Sequence, residues 1–400
     1  MMGNVLMINF PGEGHINPSL GVTKELQRRG EKIVYYAVEE YAEKIKKTGA
    51  EVRLYPDFRD FLSLGKNVTN EKEMDFAEIG CNMAKKADEI VQIIYQEVKD
   101  ESYDYVIFDH HFLAGKMIAE MLGLPSISLC TTFAMDEEFV SSFAQNPQND
   151  LEHSPYFEKF MQSLSELNDR YPVSLRHPFD VFSCRGDITI VFTSKEFQPY
   201  AERFDEDYLF VGPSITNRQD PEGFPFEELE GETFIVISMG TIFNQQKDIY
   251  NMCIEALKDF HGKVVLSIGK NTNPNELDQI PDHFIVRSYI PQLELLKKAD
   301  LFVTHGGMNS TNEGLYFDTP LLVIPMGGDQ FFVASRAEQV GAGMMLDKTE
   351  LSSSILRAKI KEIIENRTYA NGAAKIGKSL RNAGGYQKAA DAVFELVHQN

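Results

Sequence analysis

The stretch THGGMNSTNEGLYFDTPLLVIPMGGDQ, residues 304–330, decides how this chain is read. It follows a short apolar run, Asp300-Leu301-Phe302-Val303, with the character of a buried strand. Gly306 and Gly307 then let the backbone turn sharply. Asn309, Ser310 and Thr311 are expected to cap the helix that begins there. A strand, a glycine turn and a helix N-terminus leave backbone N–H groups pointing where an anion can dock. His305 and Glu313 flank the turn, one a candidate phosphate donor and the other a candidate ribose acceptor. The stretch closes on Asp329-Gln330, after a second strand and its Gly-Gly turn.

Working outward, the same alternation recurs along the chain. Val5 to Phe10 reads as a strand, followed by a Gly/Pro turn, a helical pattern through Leu20 and Leu26, and another strand from Lys32 to Ala37. This is a βαβ unit. About Glu71 to Asp100 reads as a long amphipathic helix. Tyr105–Phe108, Ser126–Leu129, Ile188–Phe192 and Leu209–Val211 read as further strands, with a helix from Leu113 to Leu122. The alternation restarts at Phe234–Ser238 and continues through Lys263–Ile268, Phe284–Val286, Leu301–Val303 and Leu321–Ile324. Between the two sets lies Pro213–Gly231, rich in Pro, Gly, Asn and acidic residues with little periodicity.

A chain of 400 residues exceeds one typical core. The expected organisation is an N-terminal parallel α/β domain (1–212), a linker (213–231), a C-terminal parallel α/β domain (232–384) and a last helix (385–400) that is a candidate to pack back on the first domain. In parallel α/β domains ligands gather at the C-terminal ends of the strands, here expected between the two domains.

Composition narrows the partners. The formal net charge is -21, which argues against nucleic acid and anionic membranes, since both need a basic footprint. Hydrophobic residues at 43% and charged residues at 25% are ordinary for a globular protein. No apolar run is long enough to span a bilayer. The four cysteines, Cys81, Cys130, Cys184 and Cys253, are far apart and suggest reduced thiols. Residues 1–10 read as a strand ending at Pro11 rather than as a secretory signal, so a cytoplasmic location is expected.

The loop Phe10-Pro-Gly-Glu-Gly-His-Ile-Asn-Pro18 follows the first strand and opens a helix. Gly12-x-Gly14 begins a dinucleotide fingerprint, but Asn17 stands where the third glycine belongs, so NAD binding is rejected. His15 remains, at a helix start on the binding edge; a capping or solvent-facing role is the plain alternative. Asp109 ends a strand and reaches the same edge, where it either caps the next helix or accepts a hydrogen bond from His15, fixing its tautomer. His110 and His111 are adjacent, point to different sides and have no third ligand spaced nearby, so a metal is rejected there. Ser238-Met-Gly-Thr241 follows a strand and either touches a phosphate or closes a turn. Tyr289-Ile-Pro-Gln292 follows another, where Tyr289 could flank a base and Gln292 hydrogen-bond a nucleoside; an ordinary helix start is the alternative.

Together, Y-x-P-Q, H-G-G-x-N-S-T-x-E-G, P-x-x-x-D-Q and the first-domain G-H-I-N-P resemble the family 1 glycosyltransferases, the UDP-glycosyltransferases. The resemblance runs over essentially the whole chain. F-x-P-x-x-x-x-F-D-x-x-Y-x-F-V-G-P, from Phe197 to Pro213, is most similar to the bacterial macrolide and flavonoid glucosyltransferase group. It implies a GT-B fold, two Rossmann-like parallel-sheet domains facing across a cleft, with the acceptor in the first (1–212) and the UDP-sugar in the second (232–384). It implies His15 as catalytic base with Asp109 as partner. His305, Gly307, Asn309, Ser310 and Thr241 match the diphosphate contacts, Glu313 the ribose ligand, and Asp329 with Gln330 the pair that holds the sugar. The Ile290 backbone and Gln292 match the uridine contacts, with Tyr289 where plant members usually carry Trp; this chain has no Trp. Met308 and Gly306 likewise replace a Trp and a Cys of the plant pattern.

The activity implied is inverting transfer of glucose from UDP-glucose to a hydroxyl of a lipophilic flavonoid, phenol or macrolide, without metal or other cofactor; the oligomeric state is left open, with a monomer the expectation. The only acidic D-x-D, Asp205-Glu206-Asp207, reads as a solvated turn. Phe112, Phe133 and Met135 are the acceptor-side candidates. The polar, aromatic segment Met135–Pro178 is expected to form a variable acceptor wall or a mobile lid. A non-catalytic sugar-nucleotide-binding subunit and a sugar-nucleotide epimerase are the rival readings. An intact His15 and Asp109 argue against the first, and the epimerase leaves the match around residues 197–213 unexplained.

Overall fold

The computed structural model describes residues 3–58, 75–136, 151–216, 223–240 and 246–399. Its contacts separate the chain into two units: 1–192, 202–214 and 385–400, and 193–201 with 215–384.

The first unit contains β1 (Asn4–Ile8), α1 (Glu13–Arg28), β2 (Lys32–Ala37), α2 (Glu39–Lys46), β3 (Glu51–Leu54), α3 (Phe76–Val98), β4 (Tyr105–Asp109), α4 (Leu113–Leu122) and β5 (Ser126–Cys130). It continues through α5 (Phe157–Arg170), α6 (Phe179–Phe182), β6 (Ile188–Val191) and β7 (Tyr208–Phe210). Every ladder is parallel, in the order β3-β2-β1-β4-β5-β6-β7. The apolar runs predicted as strands form its buried centre: Val5–Ile8 and Tyr105–Phe108 are almost wholly enclosed. β3, absent from the sequence reading, is an edge strand whose residues are exposed or half-buried, so it lacks an apolar run.

The second unit contains β8 (Phe234–Ser238), α7 (Lys247–Leu257), β9 (Lys263–Ser267), β10 (Phe284–Arg287), α8 (Gln292–Leu296), β11 (Leu301–Thr304), α9 (Met308–Tyr316) and β12 (Leu321–Val323). α10 (Gln330–Gln339), β13 (Gly343–Met345), α11 (Ser353–Glu365) and α12 (Arg367–Asn382) follow. Its sheet is also all parallel, ordered β10-β9-β8-β11-β12-β13. In both sheets the order reverses beside the first strand, between β1 and β4 and between β8 and β11. That is the point where an open parallel sheet leaves a crevice beyond its strand ends.

Two details depart from the sequence reading, and a third adds to it. Residues 193–201 belong to the second unit rather than to a 1–212 block. Arg336 holds them by donating to the carbonyls of Glu196 and Phe197, both at 2.9 Å, and Thr193 donates to Asn312 at 3.0 Å. α3 begins only at Phe76, where Asp75 caps it by accepting from the N–H groups of Ala77 and Glu78. The described part of the expected wall or lid contains the regular helix α5. Phe160, Leu164 and Leu167 are buried on it, and Phe160 lies over Gly80 of α3 so closely that a Cβ there would collide with the ring. Residues 137–150 of that segment lie outside the described residues.

The final helix, α13 (Gly385–Gln399), packs within the first unit. Ala389, Ala390 and Val393 enter that core, and Arg29 at the end of α1 pairs with Asp391 at 2.6 Å.

Candidate functional site

In the first unit, β1 and β4 lie side by side, with Ile8 opposite Phe108 in the register. The loop after β1 and the last residue of β4 therefore come together. Gly12 enters α1 with an extended backbone, and a Cβ there would stand 2.9 Å from the His15 ring. Only glycine leaves the imidazole its place. His15 Nδ1 lies 2.8 Å from Asp109 Oδ2; the histidine side chain is 24% exposed and the aspartate side chain 0%. Burial pushes the Asp109 carboxyl up, but the charge and hydrogen bond of His15, with the charge and backbone N–H of His111, outweigh it and hold the carboxyl below its ordinary range. An ionised carboxylate only accepts, so the His15 proton sits on Nδ1 and Nε2 carries the lone pair. The other carboxylate oxygen, Oδ1, accepts the N–H of His111 at 2.9 Å, which fixes the Asp109 rotamer.

Thr131, one residue beyond β5, places Oγ1 3.2 Å from the same Nδ1. The sequence reading missed it. A lone Thr after a strand carries no pattern, and only the adjacency of β4 and β5 brings it to His15.

The two neighbouring histidines have different surroundings. His110 is fully buried between Ser128 and Ser183, each 2.9 Å from a ring nitrogen. Burial pushes it down to about 3, so it is neutral and structural. His111 Nδ1 donates to the Phe182 carbonyl at 2.8 Å, and its ring meets His15 edge-on with centroids 5.8 Å apart.

Of the acceptor-side candidates, Phe112 is buried and stacks on Phe58 at 5.6 Å. Phe10 packs edge-on against Phe112 at 6.0 Å and lies 4.8 Å from the His15 ring. Phe133 is also buried, whereas Met135 is half-buried. Phe10, half-buried beside His15, is the aromatic that sequence reasoning passed over, because it reads as the end of a strand.

In the second unit, Gly307 forms the N-cap of α9 with no side-chain cap. Asn309, Ser310 and Thr311 therefore lie inside the first turns rather than capping it, a correction to the sequence expectation. The extended backbone of Gly307 already enters the helix at Met308, and a helix N-terminus is the end that favours an anion. Gly306, at φ 87°, turns the chain out of β11, and a Cβ there would stand 2.6 Å from Val323. The His305 imidazole is wedged between Gly240 and Gly307; a Cβ on either would stand 2.6 Å from its Nε2. Desolvation lowers His305 to about 4, so the ring is neutral near pH 7 and can offer a hydrogen bond rather than a full charge. Thr241, the remaining phosphate-side candidate, lies outside the described residues.

Gln292, the first residue of α8, donates from Nε2 to the Glu313 carboxylate on α9 at 2.7 Å. Glu313 is buried, and the amide orients its carboxylate. Tyr289, three residues before Gln292, is 53% exposed, with Ile290 buried behind it. Gln330 is buried and its Oε1 accepts the N–H of Met326 at 2.8 Å, closing the turn that presents Asp329 at the head of α10. His305, Gly307, Asn309, Ser310 and Glu313 thus share the β11–α9 connection, with Gln292 bonded to it.

Asp205 accepts from Arg185 at 3.2 Å and from the Asp207 N–H at 3.2 Å, in the turn before β7 of the first unit. No helix among the described residues is long and apolar enough to cross a membrane.

Residues 251–390 match the family described as erythromycin biosynthesis protein CIII-like, C-terminal domain. The chain is 58% identical over 400 residues to the uncharacterised UDP-glucosyltransferase YojK of Bacillus subtilis, covering 100% of this chain and 98% of that one. It is 32% identical over 394 residues to the NDP-glycosyltransferase YjiC of Bacillus licheniformis, covering 98% and 96%. Among solved structures, the calicheamicin glycosyltransferase CalG4 superposes with a TM-score of 0.86 at 26% identity, over 99% of this chain and 98% of that one. The fold is GT-B, and the chain belongs to the bacterial family 1 glycosyltransferases.

Proposed function

We propose that this glycosyltransferase moves glucose from UDP-glucose to a hydroxyl of a lipophilic small molecule, with inversion at the anomeric carbon and without a metal. The observation that carries this reading is the His15–Asp109 pair: a partly exposed imidazole held at 2.8 Å by a buried carboxylate, at the point where the strand order reverses.

In this reading Nε2 of His15 takes the acceptor hydroxyl proton as the acceptor oxygen bonds to C1 of glucose. The bond from C1 to the diphosphate oxygen breaks, and its electron pair leaves with UDP. Asp109 balances the imidazolium that forms. The charge growing on the diphosphate is met by the N–H groups at the start of α9 and by His305. Attack opposite the leaving group turns an α-linked donor into a β-linked product.

The donor assignment rests on Glu313, oriented by Gln292 for a ribose, and on exposed Tyr289 for the base. The YojK relative bears the name UDP-glucosyltransferase, which favours the same donor. The metal-free reading rests on the groups at the phosphate loop, N–H donors and an imidazole, and on the engagement of the one D-x-D sequence with Arg185 elsewhere. The lipophilic acceptor rests on the Phe10–Phe58–Phe112 cluster next to His15 and agrees with the calicheamicin named for CalG4.

Incubation of UDP-glucose with and without a panel of phenolic and macrolide acceptors tests this. The expected product is an acceptor carrying one additional hexose, β-linked by proton NMR, formed only when acceptor is present. A change in the sugar without acceptor identifies an epimerase instead. UDP binding with no conjugate across the panel identifies a non-catalytic subunit.

A further inference from the structure

Beneath the His15 loop lies a buried polar chain that the mechanism above does not use. Asn9, the residue after β1, is enclosed, as are Tyr35 on β2 and Ser19 on α1. Asn9 Nδ2 donates to the His15 carbonyl at 3.2 Å and to Tyr35 Oη at 2.7 Å. Tyr35 Oη and Ser19 Oγ are 2.7 Å apart, and Ser19 Oγ donates to the Ile16 carbonyl at 2.8 Å.

The donors can be assigned by counting. The single Ser19 hydroxyl proton goes to Ile16, so Ser19 Oγ must accept from Tyr35. The Tyr35 proton is thereby used, so its oxygen accepts from Asn9. Asn9 Oδ1 is occupied by the Phe10 N–H at 2.9 Å, which fixes the amide orientation, and Tyr55 donates to the Asn9 carbonyl at 2.5 Å. The chain thus runs one way and ends on the carbonyls of two consecutive residues, His15 and Ile16. Burial pushes the Tyr35 hydroxyl well above the ordinary phenol range, so it stays a donor at working pH. A buried chain in which every member is satisfied resists displacement, because moving one member orphans the next.

We propose that Asn9, Tyr35 and Ser19 are positioning residues that lock the first turn of α1, so that the His15 ring is held against Asp109. Sequence gives no hint of this, since the three lie on separate elements and read as a strand end, a core aromatic and a helix serine. The inference rests on the reading of His15 as the catalytic base.

The test uses the full chain and Y35F, which removes one oxygen and keeps the ring. With UDP-glucose and an acceptor that the wild type glycosylates, kcat is expected to fall about tenfold or more while both KM values stay within about twofold. The conservative S19T, which keeps the hydroxyl, should retain more activity than S19A. In an H15A background Y35F should cost nothing further, because its effect passes through His15. If Y35F lowers the residual H15A rate by the same factor as in the wild type, or leaves wild-type kcat unchanged, the positioning role is wrong while the base assignment stands. If H15A itself transfers at the wild-type rate, the base assignment and this inference fall together.

Discussion

Gln292 and Glu313 begin and line two different helices of the second unit, yet the amide donates to the carboxylate at 2.7 Å. That bond orients the buried carboxylate, which the proposed function assigns to the donor ribose. Glu313→Ala should weaken UDP binding by about 1–3 kcal/mol, the cost of losing hydrogen bonds to a charged group. Gln292→Ala should lose less. Calorimetric titration with UDP measures both. Equal affinity for wild type and Glu313→Ala would remove Glu313 from the donor site.

Asp109 is the more demanding case. Asp109→Asn places an amide where Nδ1–H needs an acceptor, and one rotamer of that amide favours the wrong imidazole tautomer. The expected loss in kcat is about 10²–10⁴-fold, the range for misplacing a general base. UDP affinity should stay unchanged, since no donor-side residue is touched. Single-turnover transfer beside equilibrium UDP binding separates the two, and a parallel loss of UDP affinity would contradict the role given to Asp109.

Acid stability follows from His110. In the fold it is held down to about 3, whereas an unfolded histidine takes up a proton near 6.5. Between those values the unfolded chain binds more protons, so stability rises with pH and is lost as pH falls from about 6.5 toward 3. His305, held to about 4, adds to the same trend. Thermal melts from pH 7 to pH 4 should show a falling Tm. His110→Gln should melt lower than wild type at pH 7 yet lose less on acidification. An identical pH slope in the variant would show that His110 does not carry the linkage.

The α3–α5 contact predicts a packing effect. Phe160 is fully buried over Gly80, and a methyl group on Gly80 would run into the ring. Gly80→Ala should cost about 1–3 kcal/mol through overpacking, and Phe160→Ala about 3–5 kcal/mol through the cavity it leaves. Urea unfolding of the two variants measures this. A Gly80→Ala chain as stable as wild type would mean that the helices are not packed this way.

What the sequence revealed and what it withheld follow from physical range. The buried strands were legible because Val5–Ile8 or Leu301–Val303 need no partner to read as apolar. Exposed β3 and the three-residue β13 carry no such signal. Glycine turns and strand ends placed His15, Asp109 and His305 at binding edges. Thr131, Asn9 and Tyr35 stayed hidden because their roles exist only once β1, β2, β4 and β5 lie side by side. The capping expectation for Asn309–Thr311 failed for a local reason, since polar residues after two glycines fit a cap or a first turn equally well.

The most direct measurement is transfer by His15→Ala set against its UDP affinity. The base assignment predicts that glycosyl transfer falls by about 10²–10⁴-fold, with UDP affinity within about twofold of wild type. Transfer at the wild-type rate by His15→Ala would contradict it.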